Sequence, residues 1–396
     1  MTKTHTGVPA YRPDIYSTQA IVDPHPHYAR LRELGSVVWL PKQRVYALPR
    51  YAECKAVLRD DKTFISGRGV ALNPLSNRLS RGTTLNSDGG EHDRRRKLVA
   101  HRMLPRALRA ISEGIDEQAA ALVDAAVARG EIDGVSDFAM ALPMAVVPDL
   151  VGWPRDQRDN LLPWGGATFD VLGPLNRHSL RAIPGSLQML RFARRVVRQR
   201  TVIEGSLGDD VLVAADSGKV SRAECSGLMI DYLGPSLDTT ISALSNALYL
   251  FATHPQQWQA IRDDPTLIPN AINEVIRYES PLRAFSRKAF VDAGIAGTAI
   301  PAGARVLVLY ASANRDEYEW DAPDTFDIHR DATRQLGFGQ GTHACAGQGL
   351  ARLETAAMLL ALAERVERIE LAGSPTWAIN NIIRRHERLP IKLVGG

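Results

Sequence analysis

Between Phe338 and Gly347 the chain reads FGQGTHACAG, and no other ten residues restrict its possible folds so tightly. Gly339 and Gly341 suit a backbone that turns sharply and lies close against a flat surface, and Gly347 suits a helix head that must carry no side chain. Cys345 then sits at a helix N-terminus, where unpaired N–H groups and the positive dipole end favour an ionised sulfur, the form that ligates metal. The segment predicts a fold that holds one thiolate against a metal in a rigid glycine-framed loop. A buried structural cysteine in a turn is the competing reading. Cys54 and Cys225 stand far from Cys345 and from each other, so neither a disulfide framework nor a zinc-ligand spacing emerges.

The 396 residues show no Gly/Ser-rich linker, low-complexity tract or internal repeat, so one domain over 1–396 is expected, with 1–15 as a poorly ordered tail. Hydrophobic residues at 45% and charged residues at 23% suit a chain that buries a large core. MTKTHTGVPAYRP lacks a secretory apolar region, and no later apolar run reaches spanning length uninterrupted by charge, so a soluble, cytoplasmic monomer without a membrane partner is expected. A net charge of +4 does not create a nucleic-acid field.

Stretches 37–40 and 45–48 flank a short polar turn and predict a hairpin. Apolar residues at three- and four-residue spacing predict helices over 51–58, 92–104, 108–129, 144–150, 187–199, 222–254 and, directly after the cysteine, 349–366. Segments 300–309 and 389–393, with Ile382, look like sheet. The outcome is a mainly α fold with a small β portion (α+β) gathered near both ends and no βαβ alternation.

Continued through Leu350, Ala351, Arg352 and Glu354, the cysteine segment resembles the haem-binding signature of the cytochrome P450 haem-thiolate monooxygenases. Other segments of that family appear in the family's order. GPSLDTT at 234–240 resembles its oxygen-activation segment, with Asp238 and Thr239 as the acid and alcohol that deliver protons. Taken alone, Asp-Thr-Thr in a helix would be a polar patch. Pro235 and Ser236 depart from the family's usual Ala-Gly or Gly-Gly. Pro235 brings no N–H to the Asp231 carbonyl, which predicts a local kink and leaves open whether Thr239 bonds the carbonyl four residues back. NEVIRYESP puts Glu274 and Arg277 on one helix face. With ANRD at 313–316 and the segment ending at Arg330, it resembles the structural triad Glu274, Arg277 and Arg330, which would pin the coil before the cysteine loop.

The resemblance implies haem b ligated by Cys345, a thiolate trans to O2 that favours O–O cleavage, with Phe338, Gly339 and Gly347 beside it. His92, Arg96, Arg287 and His343 would hold the propionates. It implies a pocket for a small hydrophobic substrate drawn from Val70, Leu72, Leu85, Phe169, Leu172, Leu233 and Ser236, with Leu282, Ala284, Phe285, Ile382 and Ile383. The segments SGRGV, TFDVLGP, SLDTT and INNII resemble the bacterial subgroup that oxidises para-substituted benzoates. That subgroup has Arg-Ser where this chain has Ile230 and Asp231, so an anion anchor is missing and a neutral aromatic is expected. Arg68 could hold a carboxylate from another side or face solvent.

No GxGxxG motif occurs, so a separate ferredoxin and ferredoxin reductase are implied as electron source. They would dock near the basic cluster Arg94, Arg95 and Lys97. An H2O2-driven peroxygenase and a non-catalytic haem sensor or carrier are the rival readings. The Asp238-Thr239 pair argues against the first.

Overall fold

Helices hold 55% of the chain and strands 12%, as a mainly α (α+β) fold requires. The computed structural model describes residues 7–396, apart from the side chains of 99, 233 and 234. The helices that build the site are α1 (Tyr51–Arg59), α2 (Gly89–Ala100), α3 (Pro105–Arg129), α4 (Leu161–Leu172), α5 (Arg177–Gln199), α6 (Arg222–Thr253), α7 (Ile268–Tyr278) and α8 (Gln348–Arg365).

Helix α6 lies inside the core rather than on it. Leu237, Ile241, Leu244, Ala247, Leu248 and Phe251, each at most 1% exposed, form one face, and Ser242, Ala243, Ser245 and Asn246, each at most 5% exposed, carry the burial round the rest of the circumference. Buried polar residues in the same stretch find local partners. Ser242 Oγ donates to the Asp238 carbonyl at 2.5 Å, and Asn246 Nδ2 donates to the carbonyls of Glu279 and Arg384 at 3.2 and 3.3 Å. A capping box of Ser221 and Glu224 starts the helix. The second Glu224 oxygen accepts from Arg94 Nη2 at 2.9 Å and from Arg95 Nη2 at 2.7 Å, which ties α2 to the head of α6. Burial pushes the Glu224 carboxyl up, but the Ser221 amide and the two guanidiniums outweigh it and hold it down at about 2. This arrangement corrects the expected docking surface: Arg95 is buried and Arg94 is engaged, so of the cluster only Lys97 stands exposed without such a tie to Glu224.

Strands β1 (Val38–Leu40) and β2 (Val45–Leu48) form the expected hairpin, with Val38 opposite Ala47. With β3 (Phe64–Ile65), β4 (Phe285–Ala289) and β5 (Arg305–Val308) they make a sheet of order β1-β2-β5-β4-β3. Only the β2–β5 pair is parallel. A second sheet joins Glu131–Asp133, Pro390–Gly395 and Val366–Leu371. The β portion is therefore not gathered near both ends, since β4 and β5 enter from well inside the chain and bring Phe285 and Arg287 to the site.

Two further expectations change. The helix expected over 187–199 begins ten residues earlier, at Arg177, because Asn176 caps it by accepting from the His178 and Ser179 amides at 3.0 Å and Pro184 does not end it. The tail expected over 1–15 is packed in its second half: Ala10 bridges to Trp39, and Ile15 is buried. Its first six residues lie outside the described ones. Among the described residues no cluster of His, Cys, Asp and Glu could hold a metal ion by itself. Among the described residues only Gly134–Val151 is long and apolar enough to cross a membrane, and half of it is buried inside the protein.

Candidate active site

The cysteine loop is closed by the Cys345 amide, which donates to the Phe338 carbonyl at 2.7 Å. Gly339 and Gly341 adopt φ of 67° and 71°, a region that glycine reaches without penalty. At Gly341 the second constraint is protein rather than ligand: an added Cβ would come within 2.5 Å of the Leu58 carbonyl oxygen in α1. Gly347 differs. Its φ of −89° is ordinary, and an added Cβ would meet nothing nearer than Ser236 Oγ at 3.8 Å, so no protein atom demands glycine there. That open space beside the sulfur is what a flat ligand needs.

Burial pushes the Cys345 thiol up, against the pull of the Gly347 amide, Arg96, the Gln348 amide and Arg352. The helix-head amides favour the ionised sulfur, as expected, but burial outweighs them. Coordination to a metal is what would deprotonate it.

His92, Arg96, Arg287 and His343 line the same cavity as Cys345. The His92 and His343 rings lie 4.3 Å apart. Burial lowers the pKa of His343, and its Nε2 stands 3.9 Å from Asp88 with no hydrogen-bond partner among the described residues. A buried ring nitrogen without a partner, beside two guanidiniums and a second imidazole, fits a ligand that carries carboxylates. Haem b, with two propionates and an iron for the sulfur, meets both requirements.

Across the cavity, α6 presents Thr239, whose hydroxyl donates to the Pro235 carbonyl four residues back. The bond that Pro235 left open is therefore made. Asp238 turns the other way. It lies in a separate cleft of about 460 Å3 between α4, α5 and the 378–387 segment, where Arg385 Nε stands 2.9 Å from its Oδ1. Burial raises the Asp238 pKa and Arg385 opposes that rise. Asp170 shares this cleft, its carboxyl pushed up to about 6 by burial.

Of the expected pocket residues, Leu85, Phe169, Ser236, Leu282 and Phe285 line the cavity. Val70, Leu72, Leu172 and Ala284 do not. Leu72 and Ala284 pack in a satellite core with Tyr16 and Leu307, and Leu172 packs behind Phe169 with Ile382 and Ile383. The Val70 carbonyl accepts the Ser286 amide at 3.1 Å. For Leu72, Ala284 and Leu172 the chain segment is near but the side chain packs into a neighbouring core, a matter of strand and helix facing that proximity in sequence does not settle. The Leu233 side chain lies outside the described residues. Arg68 is exposed.

Glu274 and Arg277 are fully buried and paired through two bonds of 2.6 and 2.8 Å, and Arg330 Nε stands 3.5 Å from the same carboxylate. Arg277 also donates to the carbonyls of Asn314 and Pro323 at 2.9 and 2.8 Å, so the expected triad does grip the coil leading to the cysteine.

Sequence reasoning missed Thr84, Tyr310 and Ile276 in the cavity wall, and Arg385 at Asp238. Arg385 is 147 residues from its partner, and no local spacing could have signalled the pair.

Residues 192–373 match the family model described as Cytochrome P450. The chain is 37% identical over 391 residues to the Rhodopseudomonas palustris protein named Cytochrome p450 CYP199A2, spanning 98% of this chain and 95% of that one. It is 32% identical to Cytochrome P450 monooxygenase PikC of Streptomyces venezuelae, over 93% of this chain and 91% of that one. The solved structure of cytochrome P450 CREJ in complex with (4-ethylphenyl) dihydrogen phosphate matches with a TM-score of 0.86 at 26% identity, over 94% of this chain and 98% of that one.

Proposed function

This chain belongs to the cytochrome P450 family of haem-binding monooxygenases, and on that premise we propose that it inserts one atom of O2 into a small, neutral, mainly apolar aromatic. Hydroxylation or oxidative O-demethylation would be the net reaction, with electrons from a separate ferredoxin and its reductase in the cytoplasm. One observation carries the substrate class. The cavity's cations gather with His343 and Cys345: the His92 ring lies tilted against His343, the Arg287 charge is felt at His343, and the Arg96 charge is felt at Cys345. Leu85, Phe169, Leu282 and Phe285 pack together as an apolar part of the cavity wall. An anionic substrate would meet the Asp231 carboxyl in the cavity wall, and Arg68 is exposed.

Haem b bound through Cys345 supplies the oxygen chemistry, helped by electron donation from sulfur. The chain's own groups supply proton control and orientation. With its hydroxyl proton committed to Pro235, Thr239 offers its oxygen to the cavity as an acceptor and so steadies a donor there. Asp238, one residue earlier, stands in the neighbouring cleft with Asp170, His178 and Glu387, a position from which protons can pass inward while Arg385 holds the carboxylate in place. This supports an O2-dependent cycle over the peroxygenase and sensor readings.

Thr239→Ala is expected to leave haem content and substrate binding intact while most NADPH electrons end as H2O2 rather than product. Asp238→Asn is expected to slow product formation by about a hundredfold. Product and peroxide assays with a surrogate ferredoxin and reductase check both. Unchanged coupling in Thr239→Ala would move the role to Ser236, and absence of any NADPH-coupled product would leave the sensor reading.

In spin-state titrations 4-methoxyphenol is expected to shift the haem spectrum, and 4-methoxybenzoate to bind at least about tenfold more weakly, since it would leave an unpaired charge against apolar walls. A clear shift with the acid and none with the phenol would overturn the neutral-substrate reading.

A further inference from the structure

Resting on that neutral-aromatic reading, we propose that Asp231 and Thr84 form a subsite that recognises a hydroxyl donor on the substrate, so that the enzyme takes phenols in preference to their ethers. Both residues line the cavity that contains Cys345. They share that cavity with the apolar Leu85, Phe169, Leu282 and Phe285. A purely apolar substrate has no use for a carboxyl at that place, and covering it without a partner costs desolvation.

The carboxyl is held ready. Asp231 Oδ2 accepts from the Thr84 N–H, which fixes the side chain and leaves other lone pairs to accept from a ligand. Burial pushes its pKa up to about 7, against the Thr84 and Leu85 amides and the Thr84 hydroxyl. Thr84 is 8% exposed, and its Oγ1 lies against the Asp231 carboxyl and the Tyr232 hydroxyl without a well-aligned hydrogen bond to either, so it too has bonding capacity left for a ligand. A hydroxyl on the substrate, able both to donate to Asp231 and to accept from Thr84, satisfies both groups together. Asp231 and Thr239 lie eight residues apart on α6, about 12 Å along the helix axis, a separation that suits one ring carrying its reacting substituent opposite the hydroxyl.

Binding of 4-ethylphenol and 4-ethylanisole to the holoenzyme, measured by spin-state titration and by calorimetry, tests the subsite. The wild type is expected to bind the phenol at least about tenfold more tightly than the ether. Asp231→Leu should erase that ratio while ether binding persists, and Asp231→Asn, which keeps one acceptor oxygen, should reduce it to about threefold. Should the leucine variant fail to take up haem, the asparagine variant decides. Equal affinity for both probes in the wild type, or a ratio unchanged by either substitution, overturns the subsite and leaves the neutral-aromatic reading standing. A wild type that binds 4-ethylbenzoate and neither neutral probe overturns that reading instead.

Discussion

Cys345→Ala will abolish the red-shifted Soret band of the reduced carbonyl complex, and Cys345→His will restore iron binding without restoring the band. The expectation follows from the loop, not from the cysteine alone. Its amide is tied to the Phe338 carbonyl, its two positive-φ glycines fix the approach, and the space over Gly347 is open. Cys54 cannot substitute: it is buried in a different core, donates to the Leu48 carbonyl at 3.0 Å, and its thiol is raised by burial. Cys225 is buried at the start of α6. Persistence of the band in Cys345→Ala would show that another residue is the ligand and would remove the basis of the functional reading.

Glu274→Ala will lower stability by about 3–5 kcal/mol and reduce haem incorporation, because it leaves the buried Arg277 guanidinium without its counter-charge. Glu274 and Arg277 are both 0% exposed. The Glu274 carboxylate also accepts the Asp327 amide at 3.0 Å. The loss therefore reaches beyond one ion pair to the coil between Asn314 and Thr325, whose carbonyls Arg277 holds. Denaturant unfolding and the ratio of haem to protein measure the two effects. Exposed pairs such as Arg368–Glu367 give the contrast, since breaking one should leave stability and haem content unchanged within measurement. A Glu274→Ala protein as stable and as fully loaded with haem as the wild type would show that the triad does not hold the loop.

Much of the site was legible because its chemistry is local. The cysteine loop, the Asp238-Thr239 pair and the Glu274–Arg277 pair are each written within a few residues, where turn geometry and helix periodicity act directly. The substrate wall was legible by segment but not by side chain. Phe169 and Leu172 sit three apart on α4, yet only Phe169 reaches the cavity. Phe285 and Ala284 are neighbours, yet Ala284 turns into a satellite core. Whether a residue on an element faces ligand or core depends on how that element is rotated against its neighbours, and packing from distant parts of the chain sets that rotation.

From sequence alone came the glycine-framed cysteine loop and the mainly α fold, which rest on backbone conformation, while the proposed roles of Asp238 and Thr239 came from the family resemblance. Only the tertiary structure decided that Asp238 and Thr239 face different cavities, that Arg95 is bound to Glu224 rather than free for a partner, and that Arg385 reaches Asp238. It also decided that Thr84 meets Asp231, a contact across 147 residues. The physical reason is the same each time: charge and polarity acquire a function from what surrounds them after burial, and those surroundings are assembled from chain segments that share no local pattern.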